Sequence, residues 1–299
     1  MLRFADIFII FKLELITHKN LFKMKKCSLF IVCSLFTIAV SAQGINLKQV
    51  GKANQYMNVQ FAEKDNNGHL YTIDFSNGLN KTNLTTGEMS KINDVNYKNT
   101  EFMFYYRFKL YSMDKDGSLT EIDPVSGQWT LRSGISAWSE IDRPVVVGSF
   151  LYAAENGSFY RYGGLDPKTR TQIGGADFYS MGRLMKNDTS LYSMISDGSL
   201  YRINLRTGEW NRIGGRKSKD WKFAIAADLM NNKIYTIETN GALYETSLPG
   251  GERKLIDANK LEKGRVLISV SNKLYAITTD GYLYEIEFTN SSTAKAAAY

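Results

Sequence analysis

Residues 191–215, LYSMISDGSLYRINLRTGEWNRIGG, read as strand, turn, strand, turn, strand. Residues 191–196 are apolar enough for a buried strand and stop at Asp197-Gly198. That pair suits a type I′ hairpin, where both central residues need positive φ. Residues 199–205 then alternate, with Leu200, Tyr201 and Ile203 set among polar neighbours. Alternation of this kind marks a strand with one buried face. Arg206-Thr207-Gly208 turns the chain again, and residues 209–214 supply a third strand.

The same pattern occurs six times. Its landmark is an aliphatic residue followed by tyrosine, ending in Tyr71, Tyr111, Tyr152, Tyr192, Tyr235 and Tyr275, at spacings of 40, 41, 40, 43 and 40 residues. After each landmark comes a glycine turn at Gly78, Gly117, Gly157, Gly198, Gly241 or Gly281, and before each lies a further strand. Four short strands per unit with a period near forty residues predict propeller blades. Helical periodicity is absent from residue 43 onward. The expected fold is an all-β, six-bladed β-propeller with four-stranded antiparallel blades, occupying residues 43–290 as a single domain.

The sixth unit lacks its outer strand and runs out into a small-residue polar tail at 291–299. Residues 45–51, INLKQVG, carry the missing outer-strand pattern, as in TQIG at 171–174 and WNRIG at 210–214. This N-terminal strand is expected to join the last blade and close the ring, which removes an open sheet edge.

The segments 200–208, LYRINLRTG, and 119–127, LTEIDPVSG, resemble the repeats of quinoprotein-like and YVTN-type bacterial propellers. The resemblance spans about 45–288 and implies the architecture. Propellers host many chemistries, and six units rather than the eight typical of quinoprotein enzymes give no reason to carry over a quinone. No cofactor is expected.

Ahead of the repeats lies a leader. Met24-Lys25-Lys26 starts a short basic segment, 27–40 is apolar, and Val40-Ser41-Ala42 places small residues where a signal peptidase reads. Residues 24–42 are expected to be a signal peptide, with 1–23 an over-extended start. The product is then exported, periplasmic or extracellular, with no membrane span in the mature chain. Both cysteines, Cys27 and Cys33, fall inside the leader. The mature chain therefore has neither a thiol nucleophile nor a disulfide. The formal charge of +7 includes six Lys/Arg and two Asp/Glu in residues 1–42, so the mature balance is +3. That is ordinary for a surface and gives no nucleic-acid signal.

Aligning the units at their connections brings Tyr56, Tyr97, Trp138, Tyr179, Trp221 and Leu261 to one position. Four residues on come Gln60, Glu101, Asp142, Arg183, Ile225 and Arg265; Glu140 and Phe223 share the position two before these. All are expected around the mouth of the central channel on the top face. Aromatics there offer stacking surface and polar groups fix orientation. Gln60, Glu101, Trp138, Glu140, Asp142, Tyr179, Arg183, Trp221 and Arg265 are the candidate ligand-binding residues. The same aromatics also suit packing between blades, and charges in a wet channel can pair with one another. The expected activity is non-catalytic binding or scaffolding by a monomer that recognises a protein segment or a glycan. The alternative is a glycan-active hydrolase or lyase using the carboxylates of Glu101 and Asp142. His69 is alone after maturation, and the Asp/Asn-Gly stretches at 65–68 and 114–117 are explained by turn chemistry. No metal site is expected.

Overall fold

The structure is a computed structural model and describes residues 44–65, 67–74, 78–175, 178–215 and 219–289. The expected leader, the tail beyond 290 and residues 216–218 lie outside the described residues.

The described residues hold 24 strands in six four-stranded antiparallel sheets. Strand β1, Gly44–Val50, comes first. Blade 1 follows as β2 Val59–Lys64, β3 His69–Asp74, β4 Gly78–Asn83 and β5 Met89–Asn93. Blade 2 is β6 Thr100–Tyr106, β7 Lys109–Asp114, β8 Leu119–Ile122 and β9 Trp129–Ser133. Blade 3 is β10 Ile141–Val147, β11 Phe150–Glu155, β12 Ser158–Gly163 and β13 Arg170–Gly174. Blade 4 is β14 Arg183–Lys186, β15 Ser190–Met194, β16 Leu200–Asn204 and β17 Trp210–Ile213. Blade 5 is β18 Ala224–Met230, β19 Lys233–Glu238, β20 Leu243–Ser247 and β21 Arg253–Asp257. Blade 6 is β22 Gly264–Val270, β23 Lys273–Thr278 and β24 Leu283–Thr289, with β1 as its outer strand. The register runs from Gly44 opposite Thr289 to Val50 opposite Leu283. Inner strands β2, β6, β10, β14, β18 and β22 neighbour one another in that order, and β22 also neighbours β2. The protein is a six-bladed propeller.

Local chemistry explains the turns. Between third and fourth strands, the side-chain oxygens of Asn83, Asp123 and Asn204 each accept two backbone amides, from Thr85 and Thr86, Val125 and Ser126, and Arg206 and Thr207. A left-handed glycine completes each loop at Gly87, Gly127 or Gly208. The Asp197-Gly198 turn corrects the type I′ expectation. Only Gly198 has positive φ, at 86°, while Asp197 Oδ1 accepts the Ser199 amide at 2.8 Å. Gly198 N–H also reaches the Ile195 carbonyl at 2.9 Å. This is a longer loop with a terminal left-handed glycine. Paired positive φ values occur at Asn156-Gly157, the equivalent turn of blade 3, and at Asn231-Asn232, Ser271-Asn272 and Arg107-Phe108, between first and second strands.

The core lies between blades. Each of its six hydrophobic clusters combines residues of two neighbouring blades. The landmark tyrosines sit there, all no more than 5% exposed. Ile45 of β1 is fully buried in the blade 5–6 cluster, and Val50 in the blade 6–1 cluster.

Candidate channel and top face

One hydrogen-bonded turn recurs before every inner strand. The amides of Val59, Thr100, Ile141, Met181, Ala224 and Gly264 donate to the carbonyls of Tyr56, Tyr97, Trp138, Phe178, Trp221 and Leu261. A second bond ties this position to the preceding blade. Tyr56, Trp138, Phe178, Trp221 and Leu261 donate their amides to the carbonyls of Gly281, Gly117, Gly157, Gly198 and Gly241. In blade 4 the repeated residue is therefore Phe178, not Tyr179.

That one-residue difference changes the site. Trp138 and Trp221 are 3% and 2% exposed, so they offer no stacking surface to a ligand. Trp138 packs 5.2 Å from the Tyr162 ring and donates to Ser133 Oγ. Trp221 donates to the buried Thr246 Oγ1 at 3.1 Å. Both are blade-to-blade core residues, and the expectation of a rim built from them is corrected. Tyr179, displaced from the repeated position, is 74% exposed. Its ring lies against Gly157 of blade 3, where an added Cβ would fall 2.1 Å from the ring. On the neighbouring blade 5, Phe223 is 58% exposed, with the Lys222 ammonium 5.9 Å from its ring centre. Tyr179 and Phe223 are the accessible aromatics ahead of the inner strands of blades 4 and 5.

The polar candidates separate as well. A central channel of about 930 Å³ is lined by inner-strand residues of all six blades, and of the nine candidates only Arg183 lines it. Gln60, Glu101 and Asp142 are exposed at the starts of inner strands where the register shifts. An extra residue at such a bulge is re-aimed out of the ladder. Asp142 sits 3.5 Å from Arg143 Nε, and Glu140 accepts from Asn156 Nδ2 at 2.7 Å. Arg265 donates to the Tyr56 carbonyl, bracing blade 6 against blade 1, and burial holds its guanidinium below its ordinary value.

Charges outside the aligned positions line the channel instead: Glu63 and Lys64 of blade 1, Arg107 of blade 2, Arg143 of blade 3, Lys186 and Asp188 of blade 4 and Asp228 of blade 5. The signal was present in the repeat. Opposite the landmark tyrosines stand Glu63, Phe104, Val145, Met185, Asp228 and Ile268. Two acids thus occupy a position that is otherwise apolar. Lys64 Nζ donates to Asp228 Oδ2 at 3.1 Å, to Ser269 Oγ at 2.9 Å and to the Ser269 carbonyl. Asp228 in turn accepts the Ser269 and Leu229 amides. This network joins blades 5, 6 and 1 through the channel wall. Burial raises the Glu63 carboxyl above its ordinary range, although the Lys186 charge pulls it down. Burial likewise lowers the Lys186 ammonium, against the pull of Glu63. For Arg183, burial and then the nearby Arg143 charge hold the guanidinium down.

No family model matches the chain, and no curated protein matches it. Among solved structures it is similar to a structural-genomics protein of unknown function from Bacteroides thetaiotaomicron, at 11% identity and TM-score 0.60, over 83% of this chain and 76% of that one. It is also similar to the WD40 β-propeller domain of Doa1, at 14% identity and TM-score 0.52, over 77% and 78% of the two chains. Streptogramin B lyase aligns at 10% identity and TM-score 0.51, over 82% of this chain and 88% of its own. The chain is a β-propeller. At these identities the likeness carries the fold alone, and the resemblance to bacterial propeller repeats holds as architecture. Among the described residues, no helix is long and apolar enough to cross a membrane.

Proposed function

We propose that this propeller is an exported, monomeric binding or scaffolding protein that takes a protein segment on its top face, at blades 4 and 5. The observation behind this reading is the pair of exposed aromatics, Tyr179 and Phe223, on neighbouring blades. Large rings that stay in water act as anchors in protein recognition. The cation beside them sets the partner's chemistry. Lys222 covers one approach to the Phe223 ring. An acidic segment with an apolar side chain suits this surface better than a neutral glycan, which needs a free aromatic face. The hydrolase alternative has no observation in its favour. Glu101 and Asp142 do not line the channel, and Asp142 is engaged by Arg143.

The test is an array of acidic peptides with one aromatic or aliphatic anchor, alongside a glycan array. Peptides are expected to bind, and Tyr179→Ala with Phe223→Ala is expected to weaken binding at least about tenfold, since each anchor contributes on the order of 1–2 kcal/mol. The melting temperature of the double variant should stay within a few degrees, because both side chains are exposed. Binding confined to glycans, or peptide binding unchanged in the double variant, would contradict the proposal.

A further inference from the structure

Blade 4 sends two cations into the channel, Arg183 and Lys186, from the two ends of β14. Each is braced by a backbone carbonyl of a different neighbour. Arg183 Nη2 donates to Ile225 O of blade 5, and Lys186 Nζ donates to Val146 O of blade 3. Neither forms an ion pair with a carboxylate among the described residues; Arg107, also of the wall, stands over the Tyr106 ring instead. Lys64 is matched by Asp228 at 3.1 Å and Arg143 by Asp142 at 3.5 Å. Beyond those pairs the wall holds the cations Arg107, Arg183 and Lys186 against two acids, Asp188 and, on the opposite blade 1, Glu63, which leaves one cation in excess.

Lys186 is half-buried, and Arg183 is open to the water of the channel. A cation partly withdrawn from water without a counter-ion is costly, and such groups in a cavity mark a candidate ligand site. The channel also has the dimensions of a small-molecule site, at about 930 Å³. Apolar Leu184, Val145 and Met185 line it beside the two cations. We propose that the channel binds a small organic anion, with its carboxylate or phosphate held by Lys186 and Arg183 and its body against this apolar wall. Glu63 opposes that anion and limits its affinity. The site goes beyond the top-face reading, because a protein segment on the rim and an anion in the channel can each bind without the other.

The experiment is calorimetry at low ionic strength with three probes: galacturonate, glucose 6-phosphate and neutral galactose. At least one anion is expected to bind at least about tenfold more tightly than galactose, the scale of one charge-assisted hydrogen bond. Lys186→Gln and Arg183→Gln should each weaken that anion about tenfold or more, and Glu63→Gln should tighten it. Preference for galacturonate assigns a carboxylate ligand, and preference for the sugar phosphate assigns a phosphoryl one. Phe223→Ala should leave all three affinities unchanged, which separates this site from the rim. Should Lys186→Gln fold poorly, the gain in Glu63→Gln and the loss in Arg183→Gln decide the matter. Failure of both anions to outbind galactose, or anion affinity indifferent to Arg183 and Glu63, overturns the proposal.

Discussion

A chain lacking residues 44–50 is expected to lose cooperative folding. β1 lies along β24 for seven residue pairs. An antiparallel ladder of that length holds about six or seven backbone hydrogen bonds, each contributing about 1 kcal/mol net. Ile45 is fully buried and Val50 is 6% exposed, and each adds about 1.5–3 kcal/mol by leaving water. The Ile45 carbonyl also accepts Lys260 Nζ from the connection between blades 5 and 6. Together these reach on the order of 10 kcal/mol, comparable to the whole stability of an ordinary domain. Deletion would in addition leave β24 as a bare edge, open to pairing with other copies. The expected product aggregates or binds a hydrophobic dye, and gives a broad melt in circular dichroism. A soluble truncated protein with an unchanged, sharp transition would show that the blade 6–1 junction stands without this strand. Tyr56 N–H to Gly281 O, Arg265 to the Tyr56 carbonyl, Lys64 to Ser269 and the remaining apolar contacts of blades 6 and 1 would then carry that junction.

Trp221→Ala is expected to lower stability by about 3–5 kcal/mol, as large-to-small changes at buried tryptophans do. The indole fills the space between blades 4 and 5 among Tyr192, Leu200, Ile213 and Ile234. Removing it opens a cavity and also leaves the buried Thr246 hydroxyl without its donor at 3.1 Å. In a domain of this size the melting temperature should fall on the order of 10 °C. Phe223→Ala, two residues along the same connection, should move it by no more than a degree or two, because that ring is 58% exposed. Thermal unfolding of the two single variants is the check. Equal shifts in the two would contradict the division between core and face.

That division was the part of the molecule least legible beforehand. The repeat was legible because its punctuation is chemical: glycines that must be left-handed, Asn and Asp that cap the third turn, and a tyrosine that must fill the space between sheets. The outer-strand pattern of 45–51 could be read for the same reason, since its alternation matches the other blades. The channel mouth had no such marker. An aromatic between blades and an aromatic facing water read alike, so Trp138 and Trp221 looked equivalent to Tyr179. Blade 4 then misled further. Two aromatics stand side by side there, and only the distance to the landmark tyrosine separates them: Phe178 lies 14 residues before Tyr192, as Trp138 does before Tyr152 and Trp221 before Tyr235, whereas Tyr179 lies 13. The channel charges were visible only after strand pairing was known. Glu63 and Asp228 stand out once Phe104, Val145, Met185 and Ile268 are set beside them. Lys186 gains meaning only from the cavity it faces.

The most direct test of the closed ring is a disulfide between Asn46→Cys and Glu287→Cys, in a chain whose Cys27 and Cys33 are changed to serine. The two positions are exposed and lie opposite each other in the β1–β24 register. Directly paired strand residues fall within disulfide range. A closed ring gives rapid, near-complete cross-linking under mild oxidation. Stability should rise on the order of 5 kcal/mol, because the bond ties nearly the whole domain into one loop. A pair that stays reduced, or one that oxidises without raising the melting temperature, would contradict ring closure.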